Sequence, residues 1–533
     1  MQAGPAQPRS VLSASLASAS SLVLLQLVSR LFTFALNQAL VRLASPQVFG
    51  IAAIQFELLL STILFLCREG VRNALLRAPA RAQDPRLVTN ISLLPVYFGL
   101  PAAACISALY LASRSADTAY PHFLPSVALY VLAAALELGV EPQYIRAQNE
   151  LRVEVRVRAE AAAVFSKTAV TFVVLAFCPP DLALLAFALG QASYGIVVAV
   201  SFWRAYGSSV DYRLRKTVVT LHGNSQTLYF DPELLRLSLA MTGQSAVKQF
   251  LTEGDKFLVS RLSPLADQGG YAIASNYGSL VARIIFQPIE ETARLYFSKT
   301  LTKKPTDDTE RRASAAEGAD PDPLATPAHI ILTLLLLFTH FLLLLTTFAP
   351  PYLPLATAVL LPPRYLATSA PTILSAYVYY LPIMAYNGIL EAFFASACTP
   401  ADLAAQARMM AGASAAFVGI ALAARTDAGL VYANSAGLAL RAAYAWRFAR
   451  RYFAPGALTV RGALPPPPVL AAFAAAAALT RWSAQAHDTL PRTLWAQRAH
   501  IAVGGGSVAV CMLSCVVFER KRFAEMLGTL RKR

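Results

Sequence analysis

At 533 residues the chain is long enough for three or four soluble domains of roughly 150 residues each. Its composition excludes them, because 56% of the residues are hydrophobic and 14% are charged, against about 25% charged in a soluble domain. With a mean hydropathy of +0.50 the chain is a polytopic membrane protein, and its net charge of +16 must sit in loops and tails, where it suits orientation and anionic headgroups better than nucleic acid.

An apolar run of about 20 residues crosses a bilayer as a helix. In chain order such runs cover 21–43, 48–67, 90–112, 120–140, 159–178, 181–203, 234–252, 270–297, 328–349, 371–397, 402–423, 428–449, 467–482 and 499–518. They predict an all-α polytopic membrane protein of about fourteen transmembrane helices. Residues 21–203 form a first six-helix lobe, 232–449 a second, and 467–518 two appended C-terminal helices. Residues 1–20 read as a cytosolic tail that runs straight into the first helix. Residues 298–327, rich in Pro, Asp, Lys and Ala and lacking an apolar period, read as a disordered linker. Pro350, Pro351, Pro354, Pro362 and Pro363 predict a stiff connection over 350–364, and Pro465 to Pro468 predict another.

Basic residues set the orientation. Arg68, Arg72, Arg77, Arg81 and Arg86 crowd 68–89, and Arg204, Arg213, Arg215 and Lys216 crowd 204–231. The 519–533 tail carries Arg520, Lys521, Arg522, Arg531, Lys532 and Arg533. Placing these segments, and 450–466, in the cytosol puts both termini there. Asn90-Ile91-Ser92 matches a glycosylation sequon but falls at a cytosolic helix end, so it is expected to be unused.

The sequence contains no Walker motif, no nucleotide-binding glycine loop and no zinc-spaced His-Glu pair. Its Asp-x-Asp, Asp320 and Asp322, lies in the linker. Cys67, Cys105, Cys178, Cys398, Cys511 and Cys515 fall in or beside apolar runs and read as small buried hydrophobes. Cys511 and Cys515 lie one turn apart, but with no His or Asp near them they make poor metal ligands. No cofactor and no metal is expected.

Ionisable groups inside spans are costly and mark a cavity or a path. Here they align. Gln26, Arg30, Thr33 and Asn37 share a face of the first helix. Arg283, Gln287, Glu290, Glu291 and Arg294 form a stripe on the eighth. Tyr380, Met384, Asn387 and Glu391 form one on the tenth, where Pro382 can kink the helix. Glu57 and Ser61 add to the second helix, and Lys248, Glu253, Asp255 and Lys256 to the seventh. The stripes suit either helix–helix contacts or a shared hydrated cavity, and Arg30, Lys248 and Arg283 in a cavity would suit an anion. Glu69-x-x-Arg72 and Glu291-x-x-Arg294 close the second and eighth helices on one side. Each can form an ion pair, and they are equivalent positions if the lobes are parallel repeats.

Several of these segments resemble the Rft family of eukaryotic endoplasmic reticulum proteins. They are Leu25-Gln26 to Asn37, Cys67-Arg68-Glu69-Gly70-Val71-Arg72, Leu251-Thr252-Glu253-Gly254-Asp255-Lys256, Gln287-Pro288-Ile289-Glu290-Glu291 and Asn387-Gly388-Ile389-Leu390-Glu391-Ala392-Phe393. The likeness spans about residues 21–397, and Gly70 and Asn73 depart from the bulkier or basic residues usual in the family. It implies membership of the superfamily of multidrug exporters and lipid-linked oligosaccharide flippases. It also implies a part in moving dolichyl diphosphate bearing two N-acetylglucosamines and five mannoses from the cytosolic to the lumenal leaflet, either by carrying the lipid or by supporting the step. On that reading the diphosphate is held by Arg30, Arg68, Arg72 and Arg283, with Glu290, Glu291 and Glu391 placing the cations or closing gates. Two other readings stay open: an ion-coupled exporter of small amphiphiles, with Glu57 or Glu391 carrying the proton, and a scaffold that presents the lipid-linked sugar.

Overall fold

The computed structural model describes residues 38–531 apart from 78–84, 114–119, 151, 208–209, 222–223, 302–324, 425 and 454. The first predicted helix, with Arg30 and Asn37, therefore lies almost wholly outside the described residues, as does most of the predicted linker.

The architecture is helical and follows the apolar runs. Helix α1 covers 46–77, with two π-helical segments, Ile51–Phe56 and Phe65–Glu69. Helix α2 covers 85–113 in three short pieces; α3 is Phe123–Gly139, α4 Glu141–Asn149, α5 Val153–Phe177 and α6 Ala183–Tyr206. Then come α7, Pro232–Leu262, and α8, which covers 265–301 around a third π segment, Ala282–Phe286. Helices α9 (Ala325–Leu360), α10 (Ala370–Ala397), α11 (Pro400–Ala424), α12 (Asp427–Tyr452), α13 (Pro467–Ala486) and α14 (Arg498–Arg531) complete the chain. Among the described residues eight helices are long and apolar enough to cross a membrane, or nine if α3 and α4, bent by 41°, form one broken span. The chain divides into two compact units, Met1–Ala272 and Ile273–Arg533, so the division falls within α8 and α7 belongs to the first unit.

Small residues set the packing of the first unit, as expected where no hydrophobic force separates helix from lipid. A Cβ on Gly70 would lie 2.5 Å from the backbone N and Cα of Thr242, so α1 and α7 touch backbone to backbone. Gly195 lets α6 approach Ala133 of α3 in the same way. Gly70→Val is therefore expected to lower accumulation sharply, because a backbone cannot step aside as a flexible side chain does. Immunoblotting of the tagged variant, with Gly243→Val as a control in open space, checks this.

In the second unit the core is aromatic. Phe393 on α10 sits among Phe297, Tyr452 and Phe453, at ring distances of 5.5, 5.4 and 5.1 Å. Helices α13 and α14 pair through Val469, Phe473, Ala476, Cys511 and Cys515, with Leu343, Leu344 and Phe348 of α9 against them. The outer face of α14 leaves Val510, Leu513 and Val516 exposed, as a lipid solvent permits.

Three expectations need correction. The stiff connection over 350–364 is not a loop at its start: α9 runs to Leu360 straight through Pro350, Pro351 and Pro354. Membrane helices tolerate such prolines where neighbouring helices pack against them, and α14 does so here. The Tyr352 hydroxyl donates to the carbonyl of His500 at 2.8 Å, and Thr357 donates to Leu353 O at 2.9 Å. Segment 204–231 is not plain loop either, since it carries a β-hairpin, β1 Thr217–Leu221 paired antiparallel with β2 Asn224–Leu228. Gly207, at φ +54°, makes the sharp exit from α6 that a side chain would strain. Finally, the cysteines are not uniformly buried: Cys105 and Cys178 are exposed.

Candidate functional site

The π segment Phe65–Glu69 of α1 ends where the first charged block begins. Such segments recur at functional positions because they re-aim side chains within a helix. Arg68 and Arg72 are one turn apart, and α3 with α4 offers Glu137 and Glu141 at the same spacing. Arg68 Nη1 donates to Glu137 Oε2 at 3.0 Å. Arg72 forms a fork on Glu141, with Nη2 donating to Oε2 at 2.7 Å and Nε donating to Oε1. Its guanidinium also lies 3.6 Å from the centroid of the Tyr144 ring. Glu141 is 0% exposed and Arg72 15%.

Arg68 and Arg72, expected to hold a diphosphate, are each paired with a carboxylate in this structure. Arg72 spends its fork on Glu141 and Arg68 one donor on Glu137, in a largely desolvated setting where a paired charge is costly to break. The expected Glu69–Arg72 ion pair is also displaced: Glu69 instead accepts from Asn73 Nδ2 at 3.2 Å. Glu137 and Glu141 were missed by sequence reasoning. The signal was present, two carboxylates one turn apart at the end of an apolar run.

Elsewhere in the first unit, Glu57 lies 3.8 Å from Lys167. Lys256 pairs with Glu253 at 2.7 Å. Asp255 accepts from the Tyr271 hydroxyl at 2.8 Å. Gln249 donates to Ser61 at 3.2 Å. The side chain of Lys248 lies outside the described residues.

In the second unit the stripes on α8 and α10 meet. Arg294 Nη2 donates to Glu290 Oε1 at 3.2 Å. Arg441 of α12 clamps Glu391 with two bonds of 2.8 Å. Gly388 explains why the two sequence blocks go together: a Cβ there would stand 2.7 Å from Glu290 Oε2, so the bare backbone admits that carboxylate. Asn387 is buried, and its Oδ1 has no protein partner among the described residues. Gly388→Ala is expected to leave accumulation unchanged or slightly higher, since Ala favours helix by about 1 kcal/mol, while it pushes Glu290 aside and lowers glycosylation. Blotting for protein and for an under-glycosylated reporter in the same cells separates the two.

Of the two partners that spacing offers Arg294, Glu290 at i−4 and Glu291 at i−3, the structure pairs it with Glu290, while Glu291 accepts from Gln287 Nε2 at 3.1 Å. The Arg283 guanidinium turns back along α8 to Ser279 Oγ at 3.1 Å and Asn276 O at 3.2 Å. It remains exposed.

Among the described residues, one group could offer three metal-binding atoms, His340, Cys515 and Glu519, all within 4.8 Å of one another. The fold thus brings a histidine to Cys515, against the sequence expectation. His340 Nε2 and Glu519 Oε2 bond directly, and Nδ1 lies 2.8 Å from Leu336 O. As built, the group ties α14 to α9.

Asn90 has a structural task. It is 1% exposed, its Nδ2 donates to Arg215 O at 2.7 Å and to Tyr229 O at 2.6 Å, and its Oδ1 accepts from Arg215 N at 3.2 Å. A glycan would need that nitrogen. The expected result is no mobility shift on endoglycosidase treatment and reduced accumulation of Asn90→Ala; a shift would contradict the pinned geometry.

Comparison with known proteins follows this geometry. The family described as Rft protein matches residues 14–529, well past the segments from which the likeness was first drawn. A Man(5)GlcNAc(2)-PP-dolichol translocation protein RFT1 of Yarrowia lipolytica is 32% identical over 498 residues, covering 83% of this chain and 71% of the relative. The protein of that name in Xenopus tropicalis is 29% identical, covering 94% of each chain. Among solved structures, the lipid II flippase MurJ in an inward closed conformation superposes with a TM-score of 0.62 at 12% identity, covering 94% of this chain and 99% of that one. That likeness establishes the shared polytopic helical fold.

Proposed function

The chain belongs to the Rft protein family, and from that premise we propose that it moves dolichyl diphosphate bearing two N-acetylglucosamines and five mannoses across the endoplasmic reticulum membrane. The observation that carries the reading is that relatives named for this translocation align along as much as 94% of the chain. Movement runs from the cytosolic to the lumenal leaflet, for protein N-glycosylation. It is translocation rather than catalysis, and the sequence carries no Walker motif through which nucleotide would drive it.

In this reading Arg30 and Arg283 meet the diphosphate, and the dolichol tail stays in lipid. Arg68 and Arg72 act at one remove: paired to Glu137 and Glu141, they hold α1 against α3 and α4. Arg441 on Glu391 holds α12 to α10, while Arg294 steadies Glu290 on α8 where it lies against Gly388 of α10. Both termini face the cytosol, on the charge argument. The exporter reading has less to stand on, because Glu391 spends both oxygens on Arg441.

Complementation tests the proposal. In yeast depleted of its own relative, this chain is expected to clear the accumulated five-mannose lipid and restore glycosylation of a secreted reporter. Persistence of that lipid beside normally accumulated protein would contradict the reading.

A further inference from the structure

One end of the first unit holds a cavity that the proposed path does not use. It encloses about 680 Å³ between the start of α2, helix α4 and the segment that follows α6. Arg86, Arg146, Arg213 and Arg215 line it, against the carboxylates Glu150 and Asp211. Four positive and two negative charges leave the lining at a net +2.

The wall is built rather than incidental. Arg146 Nε donates to Glu150 at 2.8 Å, and Arg215 Nε pairs with Asp211 at 2.5 Å. The bond from Arg146 holds the Glu150 carboxyl below its usual range, and the backbone N–H of Arg213 does the same for Asp211. Both acids are therefore ionised near neutrality and keep their arginines in place. Beneath them Asn90 pins the backbone of Arg215 to α2. The Tyr212 hydroxyl straps the segment down by donating to Gly139 O at 2.8 Å, and the Tyr97 hydroxyl does so by donating to Tyr212 O at 2.8 Å. A small apolar core of Val71, Leu75, Ile91, Ile145 and Leu234 lies among the same helices. The four arginines thus stand on one frame from three separate segments. Arg146 and Arg215, paired through Nε yet 43% and 66% exposed against 20% and 15% for Arg68 and Arg72, still face solvent.

Arginine forks match the oxygens of a phosphate, and basic pockets at the ends of membrane helices are suited to phosphorylated headgroups. We propose that this cavity is a binding site for the phosphate or diphosphate group of a membrane lipid. Neither Arg30 nor Arg283 is among the described residues that line it, and the proposal stands whether or not the protein carries the lipid across. Two sources share this chemistry: a polyisoprenyl diphosphate and an anionic phospholipid.

Equilibrium dialysis of labelled inorganic pyrophosphate against the detergent-solubilised full-length protein tests the site. The expected result is saturable binding, weakened about tenfold or more by Arg86→Ala with Arg213→Ala, as loss of charge-assisted bonds implies. Both side chains are exposed, so the fold should persist, and the melting temperature of the double variant verifies this. Arg498→Ala, an exposed cation on α14, is expected to leave binding unchanged. Competition then identifies the source: displacement by farnesyl diphosphate points to the polyisoprenyl lipid, and displacement by dioctanoyl phosphatidylinositol 4-phosphate to the phospholipid. Absence of saturable binding, full binding in the folded double variant, or an equal loss in Arg498→Ala would each overturn the site.

Discussion

Glu141→Ala is expected to be the most damaging single substitution in the first unit. It leaves the Arg72 guanidinium buried against Tyr144 without its carboxylate. Breaking a buried pair from one side costs about 3–5 kcal/mol, a large part of the roughly 5–15 kcal/mol that keeps an ordinary domain folded. Arg72→Ala strands a wholly buried carboxylate and should cost a similar amount. The joint replacement Arg72→Met with Glu141→Leu removes both charges and keeps the volume. It is expected to restore both accumulation and glycosylation, because Arg72 here supports the helix ends and does not touch the lipid. Restored accumulation without glycosylation would return Arg72 to the diphosphate path.

Arg441→Ala should have the second-largest effect. It releases Glu391, which then faces Glu290 with Arg294 as the neighbouring cation. About a third of Arg441 is exposed, so the loss is put at about 1.5–3 kcal/mol, the range for hydrogen bonds to charged groups. Protein level is expected to fall moderately and glycosylation strongly, because α10 and α12 lose their register beside Asn387. Exchanging the two residues, Glu391→Arg with Arg441→Glu, is expected to recover level without recovering glycosylation. Quantitative blotting of both in the same cells reads the difference, and full recovery of glycosylation would leave the pair a strut only.

The helices were legible because a bilayer demands long apolar runs, and α3, α5, α6 and α12 fall close to where hydropathy puts them. Prolines misled at α9 because the rule that they stop helices is a rule for water. Within a bundle a neighbouring helix packs against the proline-bearing segment, as the bond from Tyr352 to His500 O shows, and a linear reading cannot see it. The charged stripes were legible on single helices, and i, i+4 spacing matches Glu290 to Arg294, but the partners on other helices were not legible. Spacing names the residues that share a face, whereas Glu137, Glu141 and Arg441 come from other helices and need the fold to bring them over. Asn90 read only as a sequon expected to stay unused, and the carbonyls of Arg215 and Tyr229 that flank the hairpin reveal it as a clamp. Gly388 gained its reason only once α8 was seen beside α10.

Reconstitution of the pure protein tests the central claim most directly. Vesicles are loaded with labelled dolichyl diphosphate bearing two N-acetylglucosamines and five mannoses, and an impermeant mannose-binding lectin reports the oligosaccharide in the outer leaflet. Vesicles containing the protein are expected to expose the inner-leaflet pool progressively, without added nucleotide, while protein-free vesicles expose the outer-leaflet pool alone. If folded, lipid-binding protein leaves the inner pool inaccessible, the chain does not carry the lipid, and its part in glycosylation is that of a scaffold.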